Sequence, residues 1–174
     1  MRMFEYIEQG GPVMYLLLLV NIIGFALLFW KIYTVFTAKK KFLEIQASLK
    51  EKLNQISQMS DSHMAITLVK DEVQTTVHGL ETGLNTIKII ASIAPLLGLL
   101  GTVIGIFSAF RIISTAGLSD PSLFAGGISV ALLTTVGGLV VAIPHFIGYN
   151  YLVSALDDFE IKLEKSLIKD LFGK

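Results

Sequence analysis

Charge is missing from this chain in three long blocks. No Asp, Glu, Lys or Arg occurs for 22 residues between Glu8 and Lys31, for 22 between Lys88 and Arg111, or for 36 between Asp120 and Asp157. A helix crossing the hydrocarbon core of a bilayer needs about 20 apolar residues, so each block suffices for one span. Composition agrees: 53% of residues are hydrophobic and 16% charged, whereas soluble domains carry about a quarter charged residues. The 14 basic and 14 acidic side chains balance, and the single basic cluster, Lys39-Lys40-Lys41, is no footprint for nucleic acid. Without cysteine there is no disulfide framework, thiolate chemistry or Cys-ligated metal. No metal, cofactor or enzymatic activity is expected. The first apolar block follows Glu5 and Glu8, is longer than a signal-peptide core and lacks a small-x-small cleavage pattern. It therefore reads as a retained span.

The expected fold is an all-α membrane protein with three transmembrane helices and long helical extensions. Residues 1–11 read as a periplasmic interfacial segment, with Met3, Phe4 and Ile7 at helical spacing, ended by Gly10-Gly11. Pro12 can open a helix without losing a needed hydrogen bond. The first span covers about residues 12–36, is bulky nearly all round, and ends in Trp30, Lys31 and Tyr33, an interfacial anchor. Residues 37–85 form a cytoplasmic helical region, 86–113 the second span, 114–122 a periplasmic loop, 123–150 the third span and 151–174 a cytoplasmic helical tail. Orientation follows from Lys39, Lys40, Lys41, Lys50, Lys52 and Lys70 in the long loop, against no Lys or Arg in the short one. Arg111 is the one dissent.

Helical stripes run through the extensions. Phe42, Ile45, Leu49, Leu53, Ile56 and Met59 share one face, and a polar break follows at Ser57 to His63. Ile66, Val69, Val73, Val77, Leu80, Leu84 and Ile87 then carry the period into the second span, so one helix is expected from about Ile66 to Ile113. In the tail, Leu152, Leu156, Phe159, Leu163, Leu167 and Leu171 do the same, and the third span should run unbroken into it. Such stripes need partners in water, in one another or in neighbouring subunits.

Spans two and three differ in texture from the first. Ala94, Gly98, Gly101 and Gly105 line one face of the second; Gly127, Ala131, Gly138 and Ala142 line one face of the third. Lipid supplies no hydrophobic drive for helix association, so close approach through small residues is the usual means. Both faces are expected to be satisfied between copies in a closed homo-oligomer. One threonine lies on each, Thr102 and Thr135, each about 17 Å from the outer end of its span at 1.5 Å per residue. Two hydroxyls at one level can line a polar path, or each can bond its own helix carbonyl four residues back. Pro95 and Pro144 should bend their spans. His145 falls at the inner interface, where it either relays protons or bonds water or a carbonyl. No Asp or Glu lies within any span. An intramembrane proton path needs an ionisable group, so the chain either moves no charge or receives a carboxylate from a partner.

Residues 94–106, Ala-Pro-Leu-Leu-Gly-Leu-Leu-Gly-Thr-Val-Ile-Gly-Ile, resemble the second-span signature of the ExbB/TolQ/MotA proton-channel family. Gly127-Ile-Ser-Val-Ala-Leu-Leu-Thr-Thr135, Gly138-Leu-Val-Val-Ala-Ile-Pro144 and Tyr149-Asn150 are similar to its third, and Gly10-Gly11-Pro12-Val13-Met14 to the start of its first. Span number and loop length match the shorter ExbB/TolQ branch. The resemblance implies a homopentameric ring in a bacterial inner membrane, N-terminus periplasmic and C-terminus cytoplasmic, with spans two and three around a central pore. It places Thr102, Thr135, Thr134 and Ser129 along that pore. It also implies an ExbD/TolR-like partner with a transmembrane aspartate, and a TonB-like or TolA-like rod. The chain departs from the pattern at Val130, where many ExbB and TolQ proteins carry Glu.

The expected function is a proton-channel motor subunit that uses the proton motive force to energise TonB-dependent outer-membrane transport. A TolQ-type role in envelope integrity and a non-conducting membrane scaffold are the alternatives. A secondary transporter is disfavoured by three spans without an inverted repeat or broken-helix pair.

Overall fold

The computed structural model describes residues 3–57, 62–117 and 121–172. In chain order the helices are α1 (Met3–Gln9), α2 (Gly11–Lys40), α3 (Phe42–Ser57), α4 (Ser62–Glu81), α5 (Leu84–Ala116) and α6 (Ser122–Phe172). Three of them, α2, α5 and α6, are long and apolar enough to cross a membrane. The side chains of Met3, Phe4, Ile56, Met59, His63 and Leu171, and residues 118–120 of the short loop, lie outside the described residues.

α6 runs without interruption for 51 residues, and neither Pro95 nor Pro144 ends its helix. The stretch expected as one helix from Ile66 to Ile113 is instead two. α4 stops at Glu81, and Gly83 takes φ +92° before α5 starts at Leu84. Only glycine enters that region without a steric penalty, and a turn there lets both flanking stripes stay buried.

The chain divides into two compact units. The first comprises residues 1–28 and 86–148. Its core is Leu17 of α2, Ile90 and Ala94 of α5, and Val141 and Ala142 of α6, with Val13, Met14, Val20, Leu27 and Leu97 around it. The small-residue faces of α5 and α6 are not left for neighbouring subunits, as the sequence had implied. They close on each other within the one chain, because α5 and α6 are consecutive helices joined by a short connection. What the unit leaves exposed is bulky: Leu96, Leu100, Val103 and Phe107 on α5, and Leu132, Val136, Val140 and Ile147 on α6.

The second unit comprises residues 29–85 and 149–174. Leu49, Leu53, Val69, Val73, Val77, Leu156, Phe159, Leu163 and Leu167 are buried in it, so the amphipathic stripes of α3, α4 and the end of α6 satisfy one another. Phe42 meets Phe159 edge-on at 5.7 Å between ring centres. Ion pairs join the helices at the rim: Lys50 with Asp170 (3.5 Å), Lys52 with Glu72 (3.7 Å) and Lys70 with Glu164 (3.5 Å). These are solvent-exposed pairs and fix register more than they stabilise.

Lys31 departs from its expected role. Trp30 and Tyr33 are exposed, but Lys31 is 4% exposed. It lies on the inward face with Val35 and Ala38, and its ammonium donates to the Leu80 carbonyl at 3.1 Å. Leu80 is in the last turn of α4, where carbonyls lack helical donors and the helix dipole favours a cation. Gly83 makes room, since a Cβ there would lie 3.2 Å from the lysine Cε. Lys31→Glu sets a carboxylate against that carbonyl and should cost about 3–5 kcal/mol, the range for breaking a buried charge's partnership. Thermal unfolding of the detergent-solubilised protein measures it, with Lys39→Glu, at an exposed site, as the near-neutral comparison.

Candidate functional site

The α5–α6 seam is set by backbone approaching backbone. A Cβ on Gly138 would lie 2.6 Å from the Ala94 carbonyl oxygen, and one on Gly98 would lie 2.8 Å from that of Thr134. One on Gly105 would lie 2.6 Å from the Gly127 carbonyl, and one on Gly127 2.7 Å from that of Gly105. The antiparallel register therefore runs from Ala94 beside Gly138 to Gly105 beside Gly127. Ala131, 2% exposed, and Ala142, 6% exposed, lie on the same helix within the packed unit.

This register brings the two mid-span threonines together. Thr102 Oγ1 donates within reach of the Ala131 carbonyl across the seam (3.0 Å) and of its own Gly98 carbonyl (3.2 Å), and its hydroxyl meets that of Thr135. Own-helix bonding and cross-helix pairing thus coexist at Thr102. Each hydroxyl carries one hydrogen and two lone pairs. When Thr102 gives its hydrogen to Ala131, Thr135 can give its own to Thr102, and lone pairs remain on the half-buried side. Turning the Thr135 hydroxyl outward instead offers a donor. The pair can therefore accept from a carboxylic acid or donate to a carboxylate.

Thr134, expected along the pore, is wholly buried in the seam. It bonds the Val130 and Ala131 carbonyls at 3.0 Å each and fills the space over Gly101, where a Cβ would lie 2.5 Å from its Oγ1. Its residue type suits either setting; its place one step round the helix from Thr135 turns it inward. Ser129 is exposed on the wall of a shallow groove with Gln9, Ala125, Gly126 and Val130. Pro95 and Pro144 are both half-buried.

Of the alternatives expected for His145, the structure shows the carbonyl bond: the ring is fully buried between α6 and α2, with Nδ1 2.7 Å from the Val141 carbonyl and its centre 4.8 Å from that of Phe25. Gly24 admits the ring, for a Cβ there would lie 2.2 Å from Nε2. Sequence reasoning missed this second face of α6. Its signal was present: Gly137, Val141, His145 and Gly148 recur at helical spacing, and Gly137 and Gly148 are filled by Met14 and Leu28 of α2.

Three apolar helices of spanning length, packed through small residues around paired hydroxyls, define a multi-pass helical membrane protein. The chain matches the MotA/TolQ/ExbB proton channel family over residues 31–165 and belongs to it. It is 31% identical to an ExbB homologue of Methanothermobacter thermautotrophicus over 96% of this chain and 68% of that one. It is 38% identical to a biopolymer transport protein of Vibrio cholerae over 55% of this chain and 42% of that one. To the biopolymer transport protein ExbB of Aquifex aeolicus it is 48% identical over 38% of this chain and 45% of that one. The chain thus spans about two thirds of the first relative and under half of the other two. These relatives place it in the ExbB-like branch of a transport family, which is not one of enzymes.

Proposed function

We propose that the chain is the channel-forming subunit of an inner-membrane motor driven by the proton motive force, of the ExbB type, energising TonB-dependent outer-membrane transport. The observation that carries this reading is the Thr102–Thr135 hydroxyl pair, half-buried at the α5–α6 seam, in spans that hold no carboxylate of their own. A charged carboxylate buried without polar contacts costs several kcal/mol. A hydroxyl pair that switches between donor and acceptor lowers that cost for whichever protonation state a partner's aspartate holds when it passes. In this reading five copies surround the transmembrane helices of an ExbD/TolR-like partner, and the exposed bulky faces of α5 and α6 meet neighbouring copies and lipid. The N-terminus is periplasmic, and the lysine-rich unit of α3, α4 and the tail is cytoplasmic. A proton enters from outside, neutralises the partner's aspartate at mid-membrane and leaves inward as the partner rotates past the next pair of hydroxyls.

Native mass spectrometry of the complex extracted with its partner should show five copies of this chain, and a stable monomer or dimer would contradict the ring. Cells lacking the chain should lose energised uptake and recover it when the chain returns with its partner. Recovery with a partner whose transmembrane aspartate is changed to asparagine would contradict the proposed division of labour.

A further inference from the structure

Many charges of the second unit are answered by a neighbour. Lys41 meets Glu44 at 3.2 Å, beside the pairs of Lys50, Lys52 and Lys70 described above. Lys40 lies over the Phe36 ring, 4.8 Å from its centre. Lys39, Asp158 and Lys162 differ: all three are exposed, and none forms an ion pair with another of the described residues. Asp158 and Lys162 stand four apart, a spacing that allows a pair along a helix, yet they stay separate. Together with Phe42 and Phe159 these three line one open pocket of about 240 Å³. That is several times the roughly 30 Å³ share of one water, so it admits a group of phosphate size and more. Its floor is the edge-on ring pair, with Phe159 buried, and its rim holds two cations and one anion.

The pocket lies at a definite depth. On α2, Tyr33 is 70% exposed and precedes Lys39 by six residues; on α6, Tyr151 is 73% exposed and precedes Asp158 by seven. At 1.5 Å per residue these steps are about 9 and 10 Å. Exposed tyrosines at the end of a span mark the boundary between hydrocarbon and headgroups, and both helices put the pocket the same distance past it. The headgroup layer is about 5–8 Å deep on each side, and lysine stems reach back toward it, as Lys40 does over Phe36. Lipid headgroups are therefore what this pocket meets.

We propose that the pocket binds the headgroup of phosphatidylethanolamine. The ammonium groups of Lys39 and Lys162 donate to the phosphodiester, and the ethanolamine ammonium donates to the Asp158 carboxylate. The acyl chains run back into the membrane past Phe36, which is exposed. A bare phosphate suits the lysines but is repelled by Asp158. Phosphatidylglycerol offers Asp158 neutral hydroxyls, whereas an ammonium adds the attraction of opposite charges to the hydrogen bond. Phosphatidylcholine has no N–H to give. A headgroup of both signs, with hydrogens on its cation, answers all three side chains at once. The site needs only that α2 and α6 cross a bilayer; the leaflet it faces rests on the orientation proposed above.

The test is photolabelling of the intact complex in vesicles of phosphatidylethanolamine and phosphatidylglycerol in equal parts. Each lipid in turn carries a photoreactive group at the start of one acyl chain, leaving its headgroup intact, and labelled residues are located by peptide mass spectrometry. Phosphatidylethanolamine should label residues 33–42 and 151–162 at least about threefold more than phosphatidylglycerol, the scale of exposed charge contacts. Lys39→Gln/Lys162→Gln should lower that labelling by at least about threefold on the same grounds, and Asp158→Asn should bring the two lipids level. Lys165→Gln, exposed on the same helix and outside the pocket, should change nothing. Equal labelling by the two lipids in the unaltered chain overturns the proposal without recourse to any variant. So does labelling that survives loss of both lysines, or a preference that survives Asp158→Asn. The readout needs no proton flux, so it stands or falls apart from the motor reading.

Discussion

Leucine in place of Gly138 is expected to remove the folded protein from the membrane. Even a Cβ at this position would stand 2.6 Å from the Ala94 carbonyl oxygen and 3.1 Å from the Gly98 Cα. Both are backbone atoms, so no rotamer change relieves the clash and α5 must move off α6. That separation breaks the contact between Thr102 and Ala131 and opens the seam along its length. Overpacking of a rigid interior commonly costs about 1–3 kcal/mol, and a clash with backbone belongs above that range. The comparison is Gly79→Leu, where a Cβ would meet nothing within 4 Å and leucine is the better helix former. Membrane abundance and thermal stability should collapse for the first and hold or rise for the second.

The second large effect is on transport and leaves the fold alone. In Thr102→Val/Thr135→Val, volume and branching are kept while both hydroxyls go. Ala131 O still receives the Thr134 hydroxyl, at 3.0 Å, so no buried carbonyl is stranded and assembly should be normal. A hydrogen bond to a charged group contributes about 1.5–3 kcal/mol, and each 1.4 kcal/mol is roughly a factor of ten in rate. Energised uptake should fall at least about tenfold at unchanged complex abundance, with Thr135→Val alone more severe than Thr102→Val. Thr134→Val acts as the internal comparison. That hydroxyl faces Gly101 inside the seam, so its removal should lower stability modestly and leave transport per complex unchanged. Val130→Thr should be nearly silent.

Much of this architecture is legible in the sequence because membrane spans announce themselves by uncharged length, and α6 by an apolar period with no charge for 36 residues. The shared depth of Thr102 and Thr135 is likewise a matter of counting. Periodicity, however, says which face of a helix is small and not which helix covers it. The faces of Gly98 and Gly138 therefore read as contacts with a neighbouring copy, whereas they close on each other. Lys31 read as an anchor because a lysine beside Trp30 at a span end usually is one. Its spacing with Val35 and Ala38 held the contrary signal. Gly83 sat inside an unbroken hydrophobic period, and a lone glycine is tolerated in a helix. Its φ of +92° is a property of the turn that buries both flanking stripes. The packing of His145 on α2 is obscured for another reason: α6 packs on two helices at once, and the period of Gly127, Ala131 and Gly138 facing α5 overlies that of Gly137, Val141 and Gly148.

If protons pass where this chain's hydroxyl pair meets a partner's carboxylate, liposomes holding the purified complex should take up protons under an imposed gradient, and liposomes holding this chain alone should stay sealed. Flux should be at least about tenfold lower when Thr102 and Thr135 are both valine at equal complex content, by the energies given above. Undiminished flux through the double valine complex would contradict proton passage at this pair.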